Sequence, residues 1–237
     1  MRGDFKRQAA LFNPFLYKDT PVVLIGVGGI GSGVLMGLAK MGISDITVFD
    51  HDYVEPHNIP NQLYMNTDIG ESKVEAAYRI AKQFSPEGIE ISINKEKATP
   101  QTILPKNSLV IFATDSLAAR KELFTSGFMV NAGYLIDARM GGNVISLYNV
   151  DVTSDFRLAS YAESLEVKPH KTSCAAQAIS YTILLTAGLV CSSVRNVLVG
   201  NVNPFNVVLD AQNFMLQVET GQSANASYER ERDPIGV

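Results

Sequence analysis

The 237-residue sequence has no tryptophan, only two cysteines and only three histidines. Cys174 and Cys191 are too few for a disulfide scaffold, and they cannot supply the four ligands of a structural zinc site. The histidines stand elsewhere in the chain and do not complete such a site. If a metal ion takes part in function, we expect it to arrive with a nucleotide.

The sequence also lacks an excess of basic residues. Its 24 acidic residues outnumber its 20 Lys and Arg residues, so the net charge is −4. Such a chain has no basic field for a nucleic-acid backbone or an anionic membrane, so we expect neither as a partner. The longest apolar stretch, near residues 181–191, is interrupted by Thr182, Thr186 and Gly188, and the first residues lack the apolar core of a signal peptide. We expect a cytoplasmic protein.

What the sequence does contain is a glycine cluster between an apolar run and a helical pattern. The run over residues 22–25 leads into Gly26, Gly28, Gly29 and Gly31, and apolar residues then recur at helical spacing as far as Met41. A second strand, over residues 45–49, ends on Asp50 and Asp52, about 20 residues past the glycines, the spacing of the dinucleotide fingerprint. The pattern predicts a nucleotide-binding βαβ unit.

Physical chemistry explains this composition. Glycines let the backbone approach a phosphate closely, and the free amides at the start of the following helix attract anions. A carboxylate closing the next strand can accept hydrogen bonds from a ribose, and Asp50 is our candidate. The motif does not distinguish dehydrogenases, methyltransferases and adenylating enzymes, and a glycine turn can also serve only to pack a helix on a strand.

Three later features bear on the same site. Residues 53–66 have no sustained period and predict a loop that carries Asn58 and Gln62. The next helix has Lys73 in its first turn, which opposes the helix dipole, so we expect an anionic group to compensate it. A buried strand over residues 108–114 ends on Asp115, which either faces the ligand edge of the sheet or caps the following helix, with Ser116 as the rival cap.

The order of elements predicts the fold. Strands alternate with helices up to Gly133, which indicates a parallel sheet with both faces covered. Two strands over residues 134–140 and 144–150, joined by Gly141-Gly142-Asn143, predict a hairpin. A short helix is predicted over residues 5–12, and a mostly buried helix over residues 175–193. We expect an α/β fold, a Rossmann-like doubly wound, mainly parallel sheet with an antiparallel C-terminal extension, over residues 1–219, and a flexible tail over residues 220–237.

Four segments together resemble the adenylating enzymes of the ThiF/MoeB type, small bacterial relatives of ubiquitin-activating enzymes. They are GVGGIGS, VFDHDYVEPHNIPNQLY, DIGESKVEAA and FATDSLAAR, and they lie in order between about residues 7 and 120. In that family, ATP and Mg2+ convert the carboxyl-terminal glycine of a protein into an acyl-adenylate. The resemblance implies the same reaction for this chain, on a ubiquitin-like or sulfur-carrier protein or a peptide.

Position by position, the resemblance implies a set of site residues. The phosphates would be held by Lys73, by Ser32 and by the four glycines. Asp50, with Asp52 beside it, would bind the ribose, while Asn58 and Gln62 would contact nucleotide or phosphate. Asp115 would be the magnesium-associated carboxylate, and Arg7 would reach the triphosphate, often that of the partner subunit. A homodimer is therefore expected.

Two departures from the family pattern concern charge and zinc. Asn61 stands where the family usually has a phosphate-binding arginine, and losing one charged transition-state contact can cost about 2.7–4 kcal/mol. Either another cation, such as Arg120 or Arg139, has taken over, or the activity is slow. The paired zinc cysteines of many members are also missing, which removes a structural element and not the chemistry.

Cys174 lies near the position of a family cysteine that receives sulfur or the activated acyl group. Lys171 and a following helix amino terminus could lower the pKa of its thiol, and a thioester or persulfide step is left open. The alternative is a small buried residue at a helix start, and Cys191, inside an apolar helix, is expected to be structural.

Two other functions remain open at this stage. A non-catalytic nucleotide-binding adaptor of the same fold is motivated by Asn61. An NAD-dependent oxidoreductase would use the same glycines and Asp50, but it leaves Lys73 and Asp115 unexplained.

Overall fold

The computed structural model describes residues 5–85, 89–166 and 179–221. In these residues eight strands form one sheet: β1 Val22–Ile25, β2 Ile46–Phe49, β3 Ile91–Asn94, β4 Ser108–Phe112, β5 Ala132–Gly141, β6 Val144–Asp151, β7 Asn206–Asp210 and β8 Met215–Glu219. The helices are α1 Gly29–Met41, α2 Lys73–Phe84, α3 Leu117–Thr125, α4 Asp155–Ser164 and α5 Ser180–Leu198. Short 3-10 helices cover Pro14–Leu16, Pro56–Asn58, Asn66–Asp68 and Gly127–Asn131.

The strand order is β3-β2-β1-β4-β5-β6-β7-β8. The first five strands in this order pair in parallel, and β6, β7 and β8 continue the sheet in antiparallel pairs. This confirms the predicted Rossmann-like sheet with an antiparallel extension. The order reverses between β1 and β4, and open sheets bind ligands at the carboxyl ends of the strands at such a point.

The core is divided between the two faces of this sheet. All residues of β1 and β4 are buried, as expected for central strands with helices on both faces. Alternate side chains of β1 point to opposite layers: Leu24 packs with α1, α2 and α5, whereas Val23 packs with α3 and α4. The period-two alternation of a strand thus distributes one apolar run between two cores.

Helices α1 and α5 lie very close together. A Cβ atom added at Gly37 would lie 2.5 Å from the Cys191 sulfur, and one at Gly33 would lie 3.0 Å from the Ala187 Cβ. Glycine at these two positions therefore lets α5 lie directly on α1. This contact brings the start of α5 to the glycine loop, where the Ile183 side chain lies 3.5 Å from the position of a Gly29 Cβ.

The predicted helix over residues 5–12 is wrong, because residues 6–11 form successive turns. The helix predicted over residues 175–193 is present as α5 from Ser180, with residues 175–178 outside the described ranges, but one of its faces is exposed. Among the described residues, α5 is also the helix that is long and apolar enough to cross a bilayer, and here it packs against α1, β5 and β6. The predicted tail over residues 220–237 lies almost wholly outside the described residues.

Candidate nucleotide-binding site

The loop after β1 lies against the loop after β4. Gly26 has a φ of +92°, and a Cβ there would lie 3.0 Å from both the Ala113 carbonyl oxygen and the Thr114 nitrogen. A Cβ at Gly31 would collide with the Gly26 carbonyl oxygen, whereas one at Gly28 would meet nothing within 4 Å. The glycines thus pack two loops together and leave open space above Gly28, beside the amino terminus of α1.

Asp115 follows β4 in the second of these loops, and it is exposed. The cap of α3 is Ser116, whose hydroxyl oxygen accepts a hydrogen bond from the Ala119 amide at 3.1 Å. The alternative that Asp115 caps the helix is therefore wrong. Its carboxylate stands at the switch point of the sheet, and its magnesium role stays a prediction.

The Asp50 carboxylate fastens the glycine loop to the end of β2. It is buried, and its two oxygens accept hydrogen bonds from the Val27 amide at 2.8 Å and from the Asp52 amide at 2.9 Å. A carboxylate has about four acceptor sites, so these two bonds leave capacity for ribose hydroxyls. Sequence reasoning missed the anchoring role, and the ribose role stays a prediction.

Lys73 is buried and pairs with Asp52, with 2.9 Å between its Nζ and the Asp52 Oδ2. The backbone amide of Lys73 also donates to the Asp52 carbonyl oxygen at 2.9 Å. Asp52 is therefore the anionic group expected opposite this lysine. Burial alone would raise the pKa of the Asp52 carboxyl, but the hydrogen bond and charge of Lys73 outweigh burial and lower the pKa below its ordinary value.

Two hydroxyl groups tie residues 61–64 to this region. The Ser32 hydroxyl donates to the Gly29 carbonyl and accepts from the Leu63 amide, both at 3.1 Å. The Tyr64 hydroxyl lies 2.6 Å from the Val27 carbonyl oxygen and 3.2 Å from that of Lys73, and burial raises the pKa of this phenol. Sequence reasoning missed Tyr64, and Ser32 already uses its hydroxyl in this linkage.

The segment held in this way carries buried amide groups. The Asn61 Oδ1 and the Gln62 Oε1 are buried and have no hydrogen-bond partner within the described part of the chain. Buried polar atoms without partners are costly, so a polar ligand would stabilise them. By contrast, the Asn58 Oδ1 accepts from the Glu55 amide at 2.9 Å and closes a 3-10 turn.

The two arginines considered as replacements for the missing cation are bound to one buried carboxylate. Arg120 Nη1 donates to the Asp137 Oδ1, and Arg139 Nε donates to the Oδ2 at 2.7 Å. The Arg120 Nε also donates to the Thr114 carbonyl oxygen at 3.1 Å, one residue before Asp115. Arg120 therefore supports the loop that carries Asp115. Because both arginines are bound to Asp137, neither is favoured as a replacement for the arginine that the family usually has at position 61.

Arg7 is exposed, and its segment packs at the end of α1 that is remote from the glycine loop. Gln8 Nε2 donates to the Met41 carbonyl at 2.8 Å, and the Phe5 ring lies against Gly42. Since a helix rises about 1.5 Å per residue, α1 separates this segment from Gly28 by roughly 20 Å. An arginine side chain does not span that distance within one chain.

The structure describes one of the two cysteines, Cys191, and not the other, Cys174. Cys174 lies in residues 167–178, outside the described ranges, so its role stays a prediction. The Cys191 sulfur lies beside Gly37, and burial raises the pKa of its thiol to about 12. This position in the contact between α1 and α5 is consistent with the structural role expected of Cys191.

Fold and site together define a Rossmann-like α/β protein with a glycine loop at the switch point of its sheet. The model of the ThiF family matches residues 16–232, so the chain belongs to the ThiF family. The molybdopterin-synthase adenylyltransferase of Escherichia coli is 29% identical over 150 residues, which cover 61% of this chain and 58% of that protein. The sulfur carrier protein ThiS adenylyltransferase of the same organism is 24% identical over 127 residues, covering 52% and 50%. The matches thus span between half and three fifths of the length of these relatives.

Solved structures show the same fold at lower identity. The crystal structure of E. coli MccB with AMPCPP and MccA has a TM-score of 0.69 at 17% identity, and the match covers 95% of this chain and 74% of that one. E. coli tRNA N6-threonylcarbamoyladenosine dehydratase, TcdA, has a TM-score of 0.63 at 21% identity, covering 83% and 94%. At these identities the likeness concerns the fold alone.

Proposed function

We propose that this protein is an ATP- and magnesium-dependent adenylyltransferase. Its substrate would be the C-terminal carboxylate of a ubiquitin-like or sulfur-carrier protein, or of a peptide. The observation that carries the proposal is the meeting of the glycine loop and the Asp115 loop at the switch point of a ThiF-family sheet. The proposal is also supported by the two E. coli relatives described above, both of which are named adenylyltransferases. We further propose that the enzyme works in the cytoplasm.

The residues present fit ATP. The open space above Gly28 lies at the amino terminus of α1, where backbone amides and the helix dipole favour phosphate. The buried Asn61 Oδ1 and Gln62 Oε1, which have no partner within the described residues, could accept hydrogen bonds from hydroxyl or amino groups of the nucleotide. Asp50 would bind the ribose with its remaining acceptor capacity.

Charge is distributed to match a reaction that builds negative charge on phosphate. Lys73 would hold the phosphates, and its ion pair with Asp52 orients this buried side chain in their absence. Asp115, exposed beside the glycine loop, would hold a magnesium ion, which offsets the charge of the phosphates when bound. Positioned cations of this kind supply most of the stabilisation in nucleotidyl transfer.

Neither Arg120 nor Arg139 replaces the family cation at the neutral Asn61, because both are bound to Asp137. We propose that the protein is a homodimer in which Arg7 of one copy completes the site of the other. The distance of Arg7 from its own glycine loop supports this arrangement.

The test begins with calorimetric titration of ATP, with and without magnesium, and of NAD. Pyrophosphate exchange is then measured with small proteins that end in Gly-Gly and are encoded beside the gene, and with the same proteins lacking the last glycine as controls. Exchange that requires the terminal glycine is the expected result. NAD binding without ATP binding would overturn the proposal in favour of an oxidoreductase.

A second function is favoured by one observation, the neutral Asn61. In a nucleotide-binding adaptor that has lost the chemistry, ATP would bind normally and no carrier would support exchange. Asn61→Arg distinguishes the two functions. Restoring the family charge should increase the rate of pyrophosphate exchange in an adenylyltransferase, whereas an adaptor should show no exchange with either residue.

A further inference from the structure

Tyr64 contacts two segments of the candidate site through a single hydroxyl group. Its oxygen lies 2.6 Å from the carbonyl oxygen of Val27, in the glycine loop, and 3.2 Å from that of Lys73, in the first turn of α2. A phenol has one proton to donate, so the shorter contact is the stronger hydrogen bond and the longer one shares the same proton. Tyr64 therefore bridges the loop and the helix that carry the proposed phosphate ligands.

The bridge closes a ring of hydrogen bonds. The Val27 amide donates to the Asp50 carboxylate, and the Asp52 amide donates to the same carboxylate. Lys73 then donates to Asp52 twice, through its backbone amide and through Nζ, each at 2.9 Å. The Tyr64 hydroxyl links Lys73 back to Val27. The proposed ribose ligand Asp50 and the proposed phosphate ligand Lys73 thus belong to one closed network.

Packing alone does not explain a hydroxyl group at position 64. Tyr64 is 5% exposed and belongs to the apolar core between the sheet and helices α1 and α2, where a phenylalanine ring would fill the same space. Burying a hydroxyl group is unfavourable unless the group forms hydrogen bonds. The neighbouring Leu63 amide donates to the Ser32 hydroxyl at 3.1 Å, so the segment that bears Tyr64 is fixed to the start of α1 as well as to Val27.

We propose that Tyr64 is a positioning residue for the phosphates of ATP, and that it acts by holding the first turn of α2, and with it Lys73, against the glycine loop. The role toward ATP rests on the proposed function, whereas the bridge is made within the chain itself. Phosphates would bind between the amides at the start of α1 and the lysine ammonium, so their affinity depends on how these groups are spaced. Without the hydroxyl, nucleotide binding has to fix that spacing, which lowers the affinity.

Tyr64→Phe tests this role, because it keeps the ring and removes only the hydroxyl. Circular dichroism should be unchanged, and the affinity for ATP with magnesium in calorimetric titration should fall about 5- to 10-fold, as expected for one hydrogen bond. Adenosine has no phosphates and should bind both proteins equally. In pyrophosphate exchange the KM for ATP should rise by the same factor while kcat is unchanged, since the hydroxyl touches no reacting atom.

Tyr134→Phe is the matched control. Tyr134 is near the start of β5, at the end of that strand remote from the ligand edge, and its hydroxyl forms a hydrogen bond with Asn203. This variant also loses a hydroxyl contact, but its affinity for ATP should equal that of the wild type. A general loss of stability would weaken ATP binding in both variants, whereas a positioning role weakens it in Tyr64→Phe alone.

A double variant shows whether Tyr64 acts through Lys73. If it does, Tyr64→Phe combined with Lys73→Ala should bind ATP as weakly as Lys73→Ala alone, because the lysine to be positioned is gone. Equal ATP affinity in wild type and Tyr64→Phe, equal losses for ATP and adenosine, or fully additive effects with Lys73→Ala would each overturn the inference. ATP binding that shows the Tyr64 effect without pyrophosphate exchange would reject the proposed function and leave the inference standing; exchange with an unchanged KM for ATP in Tyr64→Phe would do the reverse.

Discussion

Lys73, in the first turn of α2, donates a hydrogen bond to Asp52, just beyond β2, with 2.9 Å between Nζ and Oδ2. The lysine side chain is almost entirely buried, whereas half of the aspartate side chain is exposed. A buried ammonium at the amino end of a helix is unfavourable without such a partner. The pair therefore stabilises the folded protein whether or not a phosphate is bound.

The Lys73–Asp52 pair predicts a specific dependence of stability on pH. Because the folded-state pKa of Asp52 is lowered, its contribution is present above the unfolded pKa of about 3.9 and is lost as pH falls through the folded value. Asp52→Asn should reduce the free energy of unfolding at pH 7 by on the order of 1 kcal/mol, since the pair is partly exposed. Urea unfolding at pH 7, 5 and 3 measures this. A difference from wild type that persists unchanged at pH 3 would contradict the assignment.

The buried Asp137 should be essential to stability. It pairs with Arg120 and Arg139 and accepts from the Tyr161 hydroxyl at 2.9 Å. Asp137→Ala leaves two guanidinium groups without their carboxylate and should cost about 3–5 kcal/mol in urea unfolding. Tyr161→Phe removes only one hydrogen bond to the same carboxylate and should cost about 1.5–3 kcal/mol. Equal and small losses in both variants would show that the cluster contributes little.

Asp115 should matter for activity and not for the fold. The residue is exposed and does not cap α3, so Asp115→Ala should change the free energy of unfolding by less than about 0.5 kcal/mol. If it organises magnesium, magnesium-dependent pyrophosphate exchange should fall by about 100-fold or more.

The neighbouring Ser116→Ala is the matched control for Asp115→Ala. This change removes the helix cap and should cost about 1 kcal/mol of stability while exchange persists. Undiminished exchange in Asp115→Ala would refute the magnesium role.

Arg7 should act between copies of the chain. Arg7→Ala and Lys73→Ala should each abolish exchange, yet a mixture regenerates one complete site in each heterodimer. With free subunit exchange, an equal mixture should recover about a quarter of the wild-type activity, since half of the dimers are mixed and each has one intact site. Native mass spectrometry confirms that the subunits have exchanged. No recovery in proven heterodimers would place Arg7 outside the partner's site.

The two cysteines should respond differently to the activated carrier. Cys174→Ser should preserve exchange and eliminate any reductant-sensitive carrier adduct, because adenylation needs no thiol and covalent transfer does. Cys191→Ser is the control and should change neither, since burial raises the pKa of that thiol to about 12. Intact-mass analysis after incubation with carrier and ATP measures the adduct. An adduct that survives in Cys174→Ser would return this residue to a structural role.

Local patterns were enough to predict most of the fold. The run of β1, the glycines and the helical spacing of α1 are contiguous, and strand and helix periods are properties of short segments. The hairpin of β5 and β6 was predicted for the same reason. Asp115 was placed correctly because the end of a buried strand can be read from the sequence, and parallel topology then brings it to the ligand edge.

The remaining features depend on contacts between distant segments. The Asp137 carboxylate on β5 pairs with Arg139 of the same strand and with Arg120 of α3. No periodicity in the sequence predicts that these side chains meet. The sequence shows α5 as apolar but does not say which face the core covers, so the exposure of one face was missed. The N-terminal segment, predicted as a helix, forms turns and packs against Gly42 through Phe5.

The contact between Gly26 and Thr114 has a consequence for how the protein can change. Any side chain at position 26 would press on the backbone that presents Asp115, and the φ of +92° already disfavours every other residue there. If Asp115 organises magnesium as proposed, a replacement in the first loop would thus be recorded as a defect in metal dependence, although position 26 itself contacts no metal. Screens that randomise either loop alone would return few viable clones, and successful redesign of nucleotide preference would have to alter both loops together.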